Sequence, residues 1–508
     1  MNKLPLYEKV GYAMGDAGAN LVWRGALAYL AVFYTDTFGI SAAAAAMLFL
    51  VVRLSDGVTD IVMGMIADRT HSRFGKFRPY ILYSAPFLGL FMVLCFTTPD
   101  ISTSNKLIYA YATYIGLTLA YTVSNVPYSA LMGVMTANDT ERTKLSGFRF
   151  AGAFGGGLLV MGFLPELVAY FGQGDDARGY QLTMYLFASL LIVLMVITFM
   201  TTQERVIPQR SNSTSLTSEL IDLSKSLPFI ILPLMAVTLF FYYRGIYSGL
   251  FFVAVMVIMT YVIRKLLAKD ATLLTGSQRD MVDLLTNKPW LILLGIGFLT
   301  MMFNGIKYGV VAYYFKYHVQ NEILVGQYFI ALLIVSIIGA LATGKLSEWI
   351  GKRNLFVVAL MLSGLLTGAF YWVPSNNIIA IFAFGCAAEF FAAMMPTLFF
   401  SMLGDSADFS EWKNKRRATG LIYSAGTFVQ KTGGGFAGAL VLVVLAGYGY
   451  NGMDESSVAG ALPAMQLLMS WIPAVFAFLG AALILLYPLT PVMTKQITAE
   501  LLVRRAHQ

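Results

Sequence analysis

The sequence predicts an all-α membrane protein: two six-helix halves related by a pseudo-two-fold axis, joined by a linker that carries an extra central transmembrane hairpin, about 14 membrane segments in all. Three observations lead there. Of the 508 residues, 58% are hydrophobic and only 12% are charged, against about 25% charged in an ordinary soluble domain. Apolar runs of roughly 20 residues recur from end to end, each long enough to cross a hydrocarbon core about 30 Å thick at 1.5 Å per residue. Lysine and arginine concentrate in alternate breaks between those runs, as the positive-inside rule requires.

Apolar runs read against charged breaks place helices near 12–37, 42–66, 80–97, 107–133, 147–171 and 180–201. The opening MNKLPLYEKVGYAMGDAGAN lacks the basic, apolar and small-residue segments of a cleaved signal peptide, so the first helix is expected to be retained. A second set falls near 290–316, 325–346, 355–373, 377–403, 419–446 and 464–487. Between the sets, the polar stretch TTQERVIPQRSNSTSLTSELIDLSKS precedes an apolar pair, LPFIILPLMAVTLFFYY and GIYSGLFFVAVMVIMTYVI. The domains are therefore 1–203, a linker 204–288 with its hairpin at 228–263, and 289–508. The breaks at 67–79, 264–288 and 345–354 are rich in lysine and arginine, whereas GQGDDARG and YGYNGMDESS are acidic or neutral. That asymmetry puts the basic loops and both termini on the cytoplasmic side of the inner membrane. The basic segments flanking the hairpin want one compartment, so it crosses twice or lies re-entrant. An echo between GMIADRTHSRFGKFRP and GKLSEWIGKRNLF, each after the second helix of its set, supports two related halves.

The same composition excludes several functions. A net charge of +8 sits in short loops, which argues for a lipid bilayer as partner and against nucleic acid. Cys95 and Cys386 each lie in an apolar run, where no disulfide framework is implied. His71, His318 and His507 fall in loops or the tail with no ligand-spaced pair, so an embedded enzyme is a distant alternative and no cofactor is expected.

Polar residues inside the apolar runs carry the functional signal, because each charge in lipid costs about 2.5–3.5 kcal/mol and must face protein or water. In RLSDGVTDIVMGMIADR, Asp56 and Asp60 are one turn apart with Arg53 on the same stripe. The pair reads either as an Arg53–Asp56 structural ion pair or as a site where a cation or shared proton relieves carboxylate repulsion. Asp16, Asn20 and Arg24 follow at i, i+4 and i+8 on the first helix. Tyr121, Asn125 and either Tyr128 or Ser129 share a side of the fourth, where Pro127 frees a carbonyl. Hydroxyls, amides and aromatic faces suit a sugar. Arg149, Lys307 and Lys431 are further buried cations, the last two in need of an acid such as Glu389.

Several of these residues lie in blocks that resemble a known family. FYTDTFGISAAAAAMLFLVVRLSDGVTDIVMGMIADRTHSRFGKFRPY, NVPYSAL, DLLTNKPWLILL and GDSADFSEWKNKRRATGLIYSAGTFVQKTGGG are similar to the glycoside–pentoside–hexuronide cation symporters, the melibiose permease family of the major facilitator superfamily. The resemblance covers nearly the whole chain apart from about 210–275. It implies a monomeric carrier with the major facilitator fold, coupling sugar entry to sodium or proton flow. It places the cation at Asp56 and Asp60 and matches Lys431 to the lysine that links cation and sugar sites; by helix position Asn125 joins the cation site and Arg53 the coupling residues. Tyr121, Arg149 and Lys431 match family residues of the sugar site, and the polar stripes add Asn20, Arg24, Asn125, Ser129 and Lys307 as candidate sugar contacts. A cytoplasmic gate is implied at Asp405, Asp408, Glu411 and Arg416, with Arg417 beside it, and Asp68 and Arg69 in the loop signature GMIADR are added to it as candidates.

Two departures bear on the substrate. Asn20 and Asn125 stand where the melibiose permease has acids for galactoside hydroxyls, and Ser129 replaces a nearby tryptophan. With Arg24 and Lys307 in the central helices, this tilts the cavity towards positive charge. The sequence therefore favours an anionic sugar, a uronic acid, uronide or short acidic oligosaccharide, with a neutral pentoside or glucoside as the alternative.

Overall fold

The computed structural model describes residues 3–26, 29–30, 33–40, 42–70, 72–206, 246–267, 276–321, 324–415, 419–450 and 458–506. Within the helices, the side chains of Arg24, Arg53 and Asp56 lie outside the described set. Every regular element described is helical.

The first bundle contains α1 (Leu6–Asn20, continued as a π-helical turn over Leu21–Ala26), α2 (Ala42–Arg69), α3 (Arg78–Cys95), α4 (Thr103–Met135), α5 (Asp139–Gly172) and α6 (Asp176–Thr201). In the linker come α7 (Ile246–Leu267) and α8 (Gly276–Leu285). The second bundle contains α9 (Lys288–Tyr313), α10 (Leu324–Ile350), α11 (Lys352–Ala369), α12 (Ile378–Ala392) running on into α13 (Met394–Asn414), α14 (Thr419–Gly447) and α15 (Val458–Met469) running on into α16 (Trp471–Ile484). The chain's last element is α17 (Pro491–Ala506). Nine helical stretches among the described residues are long and apolar enough to cross a membrane; α1, α2 and α4, which carry most of the polar site residues, are not among them.

Helices begin and end where local chemistry directs. The Asn138 side chain accepts from the Thr140 and Glu141 N–H groups, and Asp139 and Glu141 occupy the first turn of α5, where a carboxylate complements the positive end of the helix dipole. Asp175, Asn287 and Asn377 cap α6, α9 and α12 in the same way. Because its charged opening DTERTK is itself helical, α5 starts eight residues before the apolar run predicts. Arg149 consequently sits well inside the helix and is 3% exposed. The expected C-terminal tail is the amphipathic α17, whose Ile497 and Leu501 are buried. It docks on the end of α13, with the Trp412 indole N–H donating to Glu500 Oε2 at 2.6 Å.

The bundles meet in a pattern that supports two related halves: the second helix of each set packs on the fifth of the other, α2 against α14 and α10 against α5. Glycine permits the closest of these approaches. A Cβ on Gly147 would stand 2.5 Å from the Ala340 carbonyl oxygen across the bundle boundary, while on Gly152 and Gly156 it would overlap the carbonyls of Ala13 and Ala17 on α1.

The second limb of the expected hairpin is α7, with Leu250, Val253, Val257, Ile258 and Tyr261 all exposed. Its first limb, up to residue 245, lies outside the described residues.

Candidate functional site

Between the bundles lies a cavity of about 460 Å³, within the roughly 300–1,000 Å³ of small-ligand sites. Its first-bundle wall is formed by Asp16, Asn20 and Trp23 from α1 and its continuation, Tyr121 and Asn125 from α4, and Arg149, Phe150 and Phe154 from α5. Facing them are Asn304 and Tyr308 of α9, Phe329 of α10, Glu389 of α12, Phe400 of α13, and Gln430 and Lys431 of α14. The helical spacing of the sequence explains the first wall: Asp16 and Asn20, like Tyr121 and Asn125, are one turn apart and share a face.

Three buried ion pairs organise the described charges around the cavity. Arg149 Nε donates to Asp16 Oδ2 at 2.9 Å, and its Nη2 donates to Ser129 Oγ at 2.9 Å. The guanidinium lies over the Phe400 ring, 4.3 Å from its centroid, so it meets the second bundle as well. Ser129 thus supports the arginine and does not itself form part of the cavity wall. Tyr12 and Tyr128 brace this corner by donating to each other's carbonyl oxygens.

The second pair joins the bundles. Lys431 Nζ on α14 stands 3.0 Å from Oδ1 and 2.8 Å from Oδ2 of Asp60 on α2. Asp60 Oδ1 also accepts from the Thr122 hydroxyl at 2.8 Å. Above the ammonium, the Trp23 and Tyr121 rings stack with centroids 5.1 Å apart, each centroid 5.8 Å from Nζ. Cation-site and sugar-site candidates therefore share one lysine.

In the third pair, Lys307 Nζ stands 2.8 Å from Glu389 Oε2, while Tyr308 OH and Ser336 Oγ donate to Glu389 Oε1 at 2.9 and 2.8 Å. Lys307 is turned to this acid behind the wall, so its charge is balanced and does not tilt the cavity positive.

Among the described residues that line the cavity, two buried polar atoms remain open. Arg149 Nη1 and Asn125 Oδ1 are buried without a hydrogen-bond partner. One is a donor and the other an acceptor, both on cavity-lining residues, the arrangement that a polyhydroxylated ligand satisfies.

At the end bearing both termini, ion pairs and hydrogen bonds close the space between bundles. Arg142 of α5, fully buried, donates from Nη1 to Asp405 Oδ1 at 2.8 Å and from Nη2 to Asp408 Oδ2 at 2.7 Å, and Lys352 Nζ reaches Asp405 Oδ2 at 2.6 Å. Thr143 and Ser401 hydroxyls lie 2.8 Å apart, and Ser146 Oγ donates to the Thr397 carbonyl. Asp68 pairs with Lys76 at 3.1 Å and accepts the Leu421 N–H at 3.0 Å. Of the other residues expected at the gate, Arg69 donates to the Met65 carbonyl of its own helix, and Glu411 is buried with its carbonyl accepting from Arg504. Arg416 and Arg417 lie outside the described residues, as do the side chains of Arg24, Arg53 and Asp56.

Sequence reasoning missed Arg142, Lys352, Thr122, Trp23, Asn304, Tyr308 and Gln430. Periodicity could have found some of them: Trp23 follows Asp16 by two turns, and Asn304 precedes Tyr308 by one. Lys352 sits in a basic break that the positive-inside pattern already explained, and Arg142 lies in the charged opening DTERTK, outside the apolar run.

Comparison with known proteins fits this geometry. The family profile described as MFS/sugar transport protein matches residues 11–276 and 236–491. Similar proteins include the uncharacterized symporter YnaJ of Bacillus subtilis (strain 168), 32% identical over 99% of this chain and 96% of that protein. The putative glycoside/cation symporter YagG of Escherichia coli (strain K12) is 31% identical over 100% of this chain and 97% of its own. The isoprimeverose transporter of Lactiplantibacillus pentosus is 30% identical over 98% and 91%. Among solved structures, the FucP major facilitator transporter in its outward conformation superposes with a TM-score of 0.60 at 10% identity, over 96% of this chain and 99% of that one, a likeness of fold. The protein is a multi-pass membrane transporter and no enzyme, and it belongs to the MFS/sugar transport protein family.

Proposed function

We propose that the protein imports a neutral glycoside in symport with a monovalent cation bound at Asp60. The observation that carries the neutral reading is charge balance: among the described side chains around the cavity, Asp16, Asp60 and Glu389 are matched one for one by Arg149, Lys431 and Lys307. An anionic sugar entering the cation-free site loses hydration and meets no unmatched cation among the described side chains, whereas hydroxyls meet amides, a carboxylate and aromatic faces. Isoprimeverose is transported by one relative, and a glycoside is named for another.

Coupling follows from the Asp60–Lys431 pair. Lys431 occupies the position at Asp60 where a sodium ion or proton would neutralise the carboxylate. An arriving cation releases the ammonium towards the sugar space that Lys431 already lines, so the cation favours sugar binding and, by linkage, sugar favours cation binding to the same extent. The paired carboxylate Asp56 belongs to the same proposed site. Sodium is the first choice and the proton second, because a carboxylate serves either. With the termini on the cytoplasmic side, the closed end is the inner one and the cavity belongs to an outward-facing carrier.

The anionic substrate expected from the sequence has support as well: Arg149 Nη1 is buried with no hydrogen-bond partner, a carboxylate suits it as well as a hydroxyl does, and two relatives are named a glucuronide carrier protein homolog and a putative sulfoquinovose importer. Competition for uptake into vesicles separates the two. Neutral glycosides should compete and uronates should not; competition by uronates alone would reverse the assignment.

A further inference from the structure

We infer that the cavity holds two sugar rings, and that Asn304, Tyr308, Phe329 and Glu389 on the second bundle form a separate subsite for the second ring of a neutral two-ring glycoside. The inference rests on the symporter reading above and deepens it by assigning a ligand length and the residues that select it.

The second wall is built for a hydroxylated ring. Tyr308 and Phe329 stack with centroids 5.7 Å apart and only 8° between their planes, which fixes a rigid aromatic face on which the apolar side of a pyranose packs. Asn304, one turn before Tyr308, lines the same cavity and has no hydrogen-bond partner among the described residues, so its amide offers both donors and an acceptor. Glu389 is the most informative member. It is 3% exposed yet belongs to the cavity wall. A carboxylate has about four acceptor positions; Lys307, Tyr308 and Ser336 take three, two of them on Oε1. One acceptor position on Oε2 is left for a ligand hydroxyl.

Charge balance alone does not account for this placement. Burying an ion pair costs several kcal/mol per ion before its attraction is counted, and a Lys–Glu pair kept only for packing has no reason to present its acid, rather than its base, to a cavity beside a flat aromatic face. The order also sets specificity. Because the carboxylate faces the cavity and the ammonium stands behind it, this wall accepts hydrogen bonds from hydroxyls and repels a uronyl group. The first-bundle wall supplies a complete second set in Asn20, Asn125 and Arg149. A single ring satisfies one wall, while two linked rings engage both bundles.

The test is equilibrium binding to the purified full-length protein, in the presence of sodium and at fixed pH, of neutral disaccharides of glucose, xylose and galactose and of the methyl glycosides of the same sugars. Asn304→Ala should lower the ratio of disaccharide to monosaccharide affinity by about 2- to 12-fold, the range for one hydrogen bond. Tyr308→Phe should lower it in the same direction, and Asn20→Ala should weaken both ligand classes equally. Thermal unfolding of each purified variant verifies that it is folded. Equal losses for both classes in Asn304→Ala and Tyr308→Phe, or no loss, would overturn the subsite, as would wild-type binding of methyl glycosides without any disaccharide. Wild-type protein that binds neither class would instead overturn the symporter reading itself.

Discussion

Replacing Asp60 by Asn removes one charge from the only described ion pair that links α2 to α14, and its consequences follow from the geometry. At 2.8 Å from Lys431 Nζ, the gross attraction is about 6 kcal/mol at an effective dielectric of about 20. Desolvation of both groups opposes much of it, and removing one partner of such a buried pair typically costs about 3–5 kcal/mol. A bound cation, by contrast, substitutes one positive charge for another at the same carboxylate, so the gross term cancels. What remains is a coupling free energy of about 1–3 kcal/mol, which raises sugar affinity about 5- to 150-fold. The assay is isothermal titration of a transported glycoside into purified protein with and without saturating sodium, repeated across a pH series without sodium. Wild type should show the cation-dependent gain, and Asp60→Asn should bind sugar with one affinity irrespective of cation. A cation-dependent gain that survives in Asp60→Asn would refute the assignment of coupling to this carboxylate.

Three further outcomes follow. Lys307→Met should destabilise the protein by about 3–5 kcal/mol by leaving the buried Glu389 unpaired, and adding Glu389→Gln should restore most of that loss; thermal unfolding that shows equal, additive losses would contradict the pairing. Arg142→Gln leaves Asp405 and Asp408 without their shared guanidinium, so a cysteine introduced by Ser401→Cys, buried in the closed end, should react with a thiol reagent at least about tenfold faster than in the Arg142 parent, and an unchanged rate would dismiss the lock. The hydrogen bond from Trp412 holds the exposed Glu500 carboxyl below the usual carboxylate range. A depressed folded-state value means the contact contributes to α17 docking above the unfolded-state pKa and is lost as pH falls through the folded-state one. Trp412 fluorescence should report that acid transition in wild type and not in Glu500→Gln, and an identical transition in both would assign it elsewhere.

The helical fold was largely legible because helices in lipid announce themselves by length and apolarity. The site was legible only in part. Helical spacing correctly put Asp16 with Asn20 and Tyr121 with Asn125 on shared faces, since that relation is local. Partners are not local: Arg149 meets Asp16 across 133 residues, Lys431 meets Asp60 across 371, and Arg142 meets Asp408 across 266. Counting Lys307 as an unmatched positive charge was the consequence, although Glu389 was visible as a candidate partner. Arg142 illustrates a different limit, because an arginine in the charged opening DTERTK lies outside the apolar run that marked the helix, whether or not it also bridges two bundles. The bounds of α5 were misplaced for a physical reason too: a capped, charged first turn is helical without being apolar.

The central claim, that an uncharged sugar enters with one cation through a charge-balanced cavity, is tested most directly by the charge moved per turnover. Proteoliposomes adsorbed on a capacitive electrode and perfused with a neutral two-ring glycoside in sodium buffer should give a positive inward current, abolished in Asp60→Asn. Electroneutral accumulation of a uronide, with no current on addition of any neutral glycoside, would contradict the account.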